Sequence, residues 1–165
     1  MRVRPMLIIG LAALTFATAD AFGTAKGTMV YTSKGKDLKT TFTYAFLVRG
    51  PDGVDATKTL RRLLLTTTDI GAKLKACETM GCVDQAFAQG LQVDWDAGPR
   101  LNYWLTLSDQ TVQFSGTADP KSFTPMENQD NRLAGRLTFD ATFAGGPKVD
   151  VEFDASLIKE IKKSR

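Results

Sequence analysis

This sequence predicts a mainly β domain: an antiparallel β-sandwich or partly closed barrel of about eight strands, with one or two short helices at about 70–89. Three observations carry the prediction. Apolar and polar residues alternate with period two over most of the chain, the signature of strands buried on one face. Turn residues punctuate the alternation at regular intervals. Among the 165 residues, 43% are hydrophobic and 24% charged, an ordinary globular composition about one domain long.

In chain order, the strand candidates are 25–32, 38–48, 59–67, 90–96, 100–108, 111–117, 133–143 and 148–155. Segment 38–48 sets Leu38, Thr40, Phe42, Tyr44, Phe46 and Val48 against a second face. Segment 133–143 sets Leu133, Gly135, Leu137, Phe139, Ala141 and Phe143 inward. Segment 148–155 is the clearest, with Val149, Val151, Phe153 and Ala155 on one face and Lys148, Asp150, Glu152 and Asp154 on the other. Opposed residues of an antiparallel pair share a face, so parity constrains the turns. Gly145-Gly146-Pro147 and Ala97-Gly98-Pro99 are then three-residue loops, and Asp109-Gln110 is a two-residue loop.

One stretch departs from period two. Ile70, Leu74 and Cys77 recur at helical spacing behind a candidate N-cap, Asp69, which predicts helices at about 70–80 and 83–89. Segment 118–131, with two prolines and little periodicity, is expected to be a long surface loop. The tail from Ser156 is expected to add a helical turn packing Leu157 and Ile161.

The first 21 residues have the pattern of an export leader: Arg2 and Arg4, then the uncharged apolar run Met6 to Ala17, then Ala19-Asp20-Ala21. Cleavage after Ala21 leaves 22–165 as a single β domain. The run is shorter than the roughly 20 residues a membrane-spanning helix needs, so no transmembrane segment is expected after cleavage, and the product is expected in the periplasm or outside the cell. In such a compartment Cys77 and Cys82 are expected to form a disulfide. Their spacing, C-E-T-M-G-C, is neither a C-x-x-C redox pair nor a haem-attachment motif.

Composition narrows the chemistry. The chain contains no histidine, which removes Ser-His-Asp and Cys-His mechanisms and histidine-ligated metal sites. A net charge of +3 is too small an excess to argue for nucleic acid. No G-x-S-x-G, S-x-x-K, H-E-x-x-H or P-loop pattern occurs.

The stretches R-L-A-G-R-L-T-F-D-A-T-F at 132–143 and V-D-V-E-F-D-A at 149–155, with G-T-M-V-Y at 27–31, Tyr44-Ala45-Phe46 and L-L-L-T-T-T-D at 63–69, give a layout that resembles small exported bacterial β proteins of unassigned function. The resemblance implies a bacterial source, export and an all-β body. It assigns no functional residue.

Three constellations are candidate sites. The three-residue last turn places Asp140 opposite Glu152, with Asp150 and Asp154 alongside. That acidic face would either hold a calcium ion or be screened by Arg136, Lys148 or a neighbouring lysine. Trp104, with Asn102 and Thr106, falls on the polar face of strand 100–108, where it is a candidate binding surface unless the helices or the 118–131 loop cover it. Trp95 falls on the core side. Asp94 and Asp96 are expected on an outward face, and Arg61-Arg62 is read as a strand end. The first functional expectation is a non-catalytic exported protein that binds a protein, an envelope component or a small ligand. The alternatives are a histidine-independent glycan hydrolase using paired carboxylates and a structural envelope protein without a small ligand.

Overall fold

The period-two segments form strands. The computed structural model describes residues 23–86, 88–107 and 112–164, which contain β1 (Gly23–Ser33), β2 (Lys36–Pro51), β3 (Thr59–Thr66), β4 (Gly90–Trp95), β5 (Leu101–Leu107), β6 (Val112–Ala118), β7 (Phe123–Gln129), β8 (Arg132–Asp140) and β9 (Lys148–Glu160). The expected leader with its cut after Ala21, and the Asp109-Gln110 turn, lie outside the described residues. The nine strands form one sheet, ordered β6-β5-β4-β3-β2-β1-β9-β8-β7, with neighbours antiparallel. Beyond the start of β1, β2 and β9 also meet in a short parallel contact at Leu47 and Leu157.

The sheet curls into a half-barrel, bringing strands that are remote in its order face to face inside. Trp95 of β4 meets Phe123 of β7 edge-on at 5.4 Å, and Tyr103 of β5 lies 4.9 Å from Phe139 of β8. Leu63, Leu65, Leu91, Val93, Leu105, Val149, Val151 and Phe153 fill the space between. Full burial of side chains of this size stabilises by about 1.5–3 kcal/mol each, before ordering entropy is counted. Tyr103 lies over Gly116, its cross-strand partner; a β-carbon there would sit 2.7 Å from the ring's Cζ, so the position accepts only glycine without repacking.

A second core lies on the outer face. Helices α1 (Gly71–Ala76) and α2 (Met80–Asp84) place Leu74, Met80 and Val83 against Phe46, Val48, Leu60 and Leu64 of β2 and β3. Covered on both sides, β3 and β4 are buried at nearly every residue, so polar outer positions such as Gln92 and Asp94 are buried too. The helices are shorter than their apolar spacing implies. Asp69 is not the N-cap of α1: that position is Ile70, without a side-chain cap, and Asp69 Oδ1 accepts from Gly71 N at 2.8 Å one residue earlier, while extended backbone at Cys77 ends the helix. Thr79 caps α2 through Cys82 N at 3.1 Å. The Cys77–Cys82 disulfide ties the end of α1 to α2.

Five expectations are corrected. Segment 118–131 is not a loop: a 3-10 turn at Pro120–Ser122 leads into β7, an edge strand whose register shifts between Pro125 and Glu127. Proline is tolerated there because an edge strand has a side without ladder partners. The tail is strand to Glu160, not helix, and Ile161 is buried in the outer core. Segment 38–48 does not keep one face. At the irregularity opposite Thr24 to Gly27 the chain changes sides, so Phe42 and Ala45 enter the inner core while Tyr44, Phe46 and Val48 face the helices. Segment 133–143 ends at Asp140, whose Oδ1 accepts from Thr142 N and Oγ1 at 3.1 and 2.6 Å. That turn leaves Phe143 exposed. The connection from β8 to β9 is therefore longer than three residues: Asp140 pairs with Lys148, and Arg136, not Asp140, lies opposite Glu152. Parity survives this register change, and Val149, Val151, Phe153 and Ala155 all point inward. The Ala97-Gly98-Pro99 turn holds its expected register, with Leu91 opposite Leu105.

Candidate functional site

Arg61 and Arg62 lie within β3 and, being adjacent, leave it on opposite faces. Neither is at a strand end, and both are buried. Arg61 enters the inner side, where Nε donates to Asp96 Oδ2 at 2.6 Å and Nη1 to Asn128 Oδ1 at 2.7 Å, pinning β3 and the β4–β5 turn to β7. Asp96 adopts a left-handed backbone with φ of 71° to meet it. Arg62 enters the outer side and forms a two-point pair with Asp94, Nε to Oδ1 at 2.7 Å and Nη2 to Oδ2 at 2.8 Å. Its Nη1 donates to Asp84 at the end of α2. With its amide oxygen turned inward, Gln92 also accepts from Arg62 Nε at 2.9 Å.

Burial works against the Arg62 charge, but the Asp94 hydrogen bonds and the Asp94, Asp84 and Asp52 charges more than offset it, so its pKa rises. Burial likewise pushes the Asp94 carboxyl above the usual carboxylate range, although Arg62 pulls it down. The two directions are compatible: Arg62 has several acidic neighbours, whereas Asp94 has lost its water and feels the like charges of Asp84 and Asp52.

The helical cover ends at this ion pair. Past it, the outer face of β4, β5 and β6 opens into a groove of about 430 Å³. Trp104 and Thr106 of β5, Gln92 of β4, and Gln113 and Ser115 of β6 line it, and Arg62 with Asp84 forms the wall toward the helices. The strand register sets this grouping, since Trp104 lies between Gln92 and Ser115, and Thr106 lies opposite Gln113. Trp104 is 39% exposed, among the few large apolar side chains that reach solvent. Of the sequence-derived trio, Trp104 and Thr106 share the groove. Asn102 is on the same face between Asp94 and Thr117 but does not line it. The framing residues Arg62 and Asp84, and the lining residues Gln92 and Gln113, were missed. The available signal was an arginine in the middle of an apolar strand, which demands a buried acid.

No family model, curated protein or solved structure matches the chain.

The other constellations resolve differently. Asp94 and Asp96 do not share an outward solvated face: each is held by its own arginine on opposite sides of the sheet. On the acidic face, Arg136 pairs with Asp150 and Arg132 with Asp154, at 2.8 and 2.7 Å, and Lys148 approaches Asp140 at 3.7 Å. Side-chain hydrogen bonds, to Arg136 and Arg132 for Asp150 and Asp154 and to Thr142 for Asp140, hold these carboxyls below their usual range. Among the described residues, no group of three or more Asp, Glu, Cys or His is arranged to hold a metal ion.

Because α2 carries Asp84, the disulfide also steadies the groove wall. Replacing both Cys77 and Cys82 by serine is expected to lower stability by about 2 kcal/mol, the chain-entropy value for so short a loop. The shift in urea midpoint measures it.

Proposed function

We propose that the chain is an exported, non-catalytic binding protein of the bacterial envelope, and that its ligand lies in the groove at Trp104. The observation that carries the reading is a half-exposed tryptophan on a sheet floor whose remaining lining is polar apart from Leu105 and Phe114, beside a buried ion-paired frame, where the helical cover stops. An aromatic platform offers large contact area at low entropic cost, and the rigid frame beside it needs little ordering on binding. Export draws support from the leader pattern and from the Cys77–Cys82 disulfide, which fits an oxidising compartment. Among the described residues, no helix is long and apolar enough to cross a membrane. The hydrolase alternative loses its nominated pair, because Asp94 and Asp96 are bound to separate arginines.

Affinity capture from envelope extract tests the reading, with Trp104→Ala as the control. The substitution removes a side chain already partly in water, so the thermal midpoint should change little. The expected result is a constituent retained by the wild-type chain and lost by the variant. Equal capture by both removes the groove from the account, and capture by neither favours the structural envelope protein.

A further inference from the structure

We infer that the ligand of the Trp104 groove is a neutral saccharide, an inference that rests on the groove being the binding seat. The chemistry of the lining selects among ligand classes. Arg62 carries the positive charge nearest the groove, but two acids already balance it: Nε and Nη2 donate to Asp94, Nη1 to Asp84, and Gln92 supplies a further acceptor. An anion entering the groove would therefore meet the half-exposed Asp84 carboxylate beside a guanidinium whose charge two acids already offset. A cation would find Asp84 half exposed but sharing its charge with Arg62, which makes a cation that also lies on the indole the competing ligand class, represented in the test by choline.

Besides parts of Leu105 and Phe114, the lining offers the Trp104 indole and a rim of Thr106, Gln113 and Ser115. Hydroxyls and primary amides both donate and accept hydrogen bonds, as sugar hydroxyls do. The C–H face of a pyranose ring is apolar and flat enough to lie on an indole, while its equatorial hydroxyls point outward to the rim. A volume of about 430 Å³ lies within the range of small-molecule sites, and the groove is open, which suits a segment of a glycan chain better than an enclosed monosaccharide.

Isothermal calorimetry of the full exported chain tests this with cellotetraose, maltotetraose and the tetramer of N-acetylglucosamine as neutral probes, and with choline and inorganic phosphate as charged ones. The expected result is saturable heat with at least one saccharide and none with choline or phosphate. Trp104→Ala should then weaken the saccharide by at least about tenfold, the scale of an aromatic anchor. Gln113→Ala, a surface change with little bearing on folding, should weaken it in the same direction. Silence with all three saccharides, or tighter binding of choline or phosphate, overturns the ligand class. If envelope capture still depends on Trp104 in that case, the groove reading survives without it. A saccharide bound equally well by Trp104→Ala places sugar recognition elsewhere and overturns both.

Discussion

Asp94→Ala is expected to cost about 3–5 kcal/mol, because it strands the Arg62 guanidinium in a buried site. Asp84 remains as a partner, but its side chain is half exposed and it holds a single nitrogen, so the lower part of that range applies. The double change Arg62→Met with Asp94→Leu removes both charges together and should recover most of the loss, since well-packed apolar replacements of a buried pair are often neutral or stabilising. Equilibrium urea unfolding of the three chains measures all of this. Arg62→Met alone leaves the Asp94 carboxyl under the same cover without its cation, raising its pKa further above the unfolded value of about 3.9. The folded state then holds a proton that the unfolded chain has already released. The stability of this variant should therefore fall as pH rises from about 4 through the folded pKa, and recover as pH is lowered.

Removal of residues 161–164 and the residue after them is expected to have the second-largest effect. Ile161 is 3% exposed in the outer core, and its truncation to alanine alone should cost about 2–5 kcal/mol. The tail also supplies partners for the first amides of α2: Met80 N donates to Lys163 O at 3.0 Å and Gly81 N to Ser164 O at 3.1 Å. Ile161 N in turn donates to Arg49 O at 2.8 Å, holding the tail on β2. Deletion therefore removes the acceptors of the first two amides of a short helix whose end carries Asp84, leaving only the Thr79 cap. Besides the fall in thermal midpoint, amide exchange should quicken across α2, while β8 and the first half of β9 keep their protection. Protection in α2 equal to that of the intact chain would show that the tail is not what holds the helix.

On β4, β5 and β9 the sequence alone placed the face that meets the inner core. Parity sorted Leu91, Val93 and Trp95, and Val149 through Ala155, correctly, because a one-residue slip would expose every one of them. It also put Trp104 and Thr106 together. Several of the failures share a physical origin in the second layer. Phe46 and Val48 are apolar for the sake of helices lying across the outer face, and nothing local in a strand says that its polar side is also covered. Arg62 was misread for the same reason: its partners, Asp94 and Asp84, are remote in sequence and are brought together only when β4 and α2 both pack on β3. Edge strand β7 was hidden by Pro125, which breaks alternation but is harmless where the ladder is one-sided. The last hairpin went wrong because Asp140 ends β8 by bonding to Thr142, a local preference that outcompeted the glycine-rich turn.

The indole N–H resonances of the two tryptophans test the central claim most directly, since one lies in the outer groove and the other in the inner core. On titration of the isotope-labelled chain with whichever tetrasaccharide gives calorimetric heat, the Trp104 signal should move and saturate, with the amides of Thr106, Gln113 and Ser115 following it and Trp95 staying still. Movement of Trp95 with Trp104 unchanged would contradict the account.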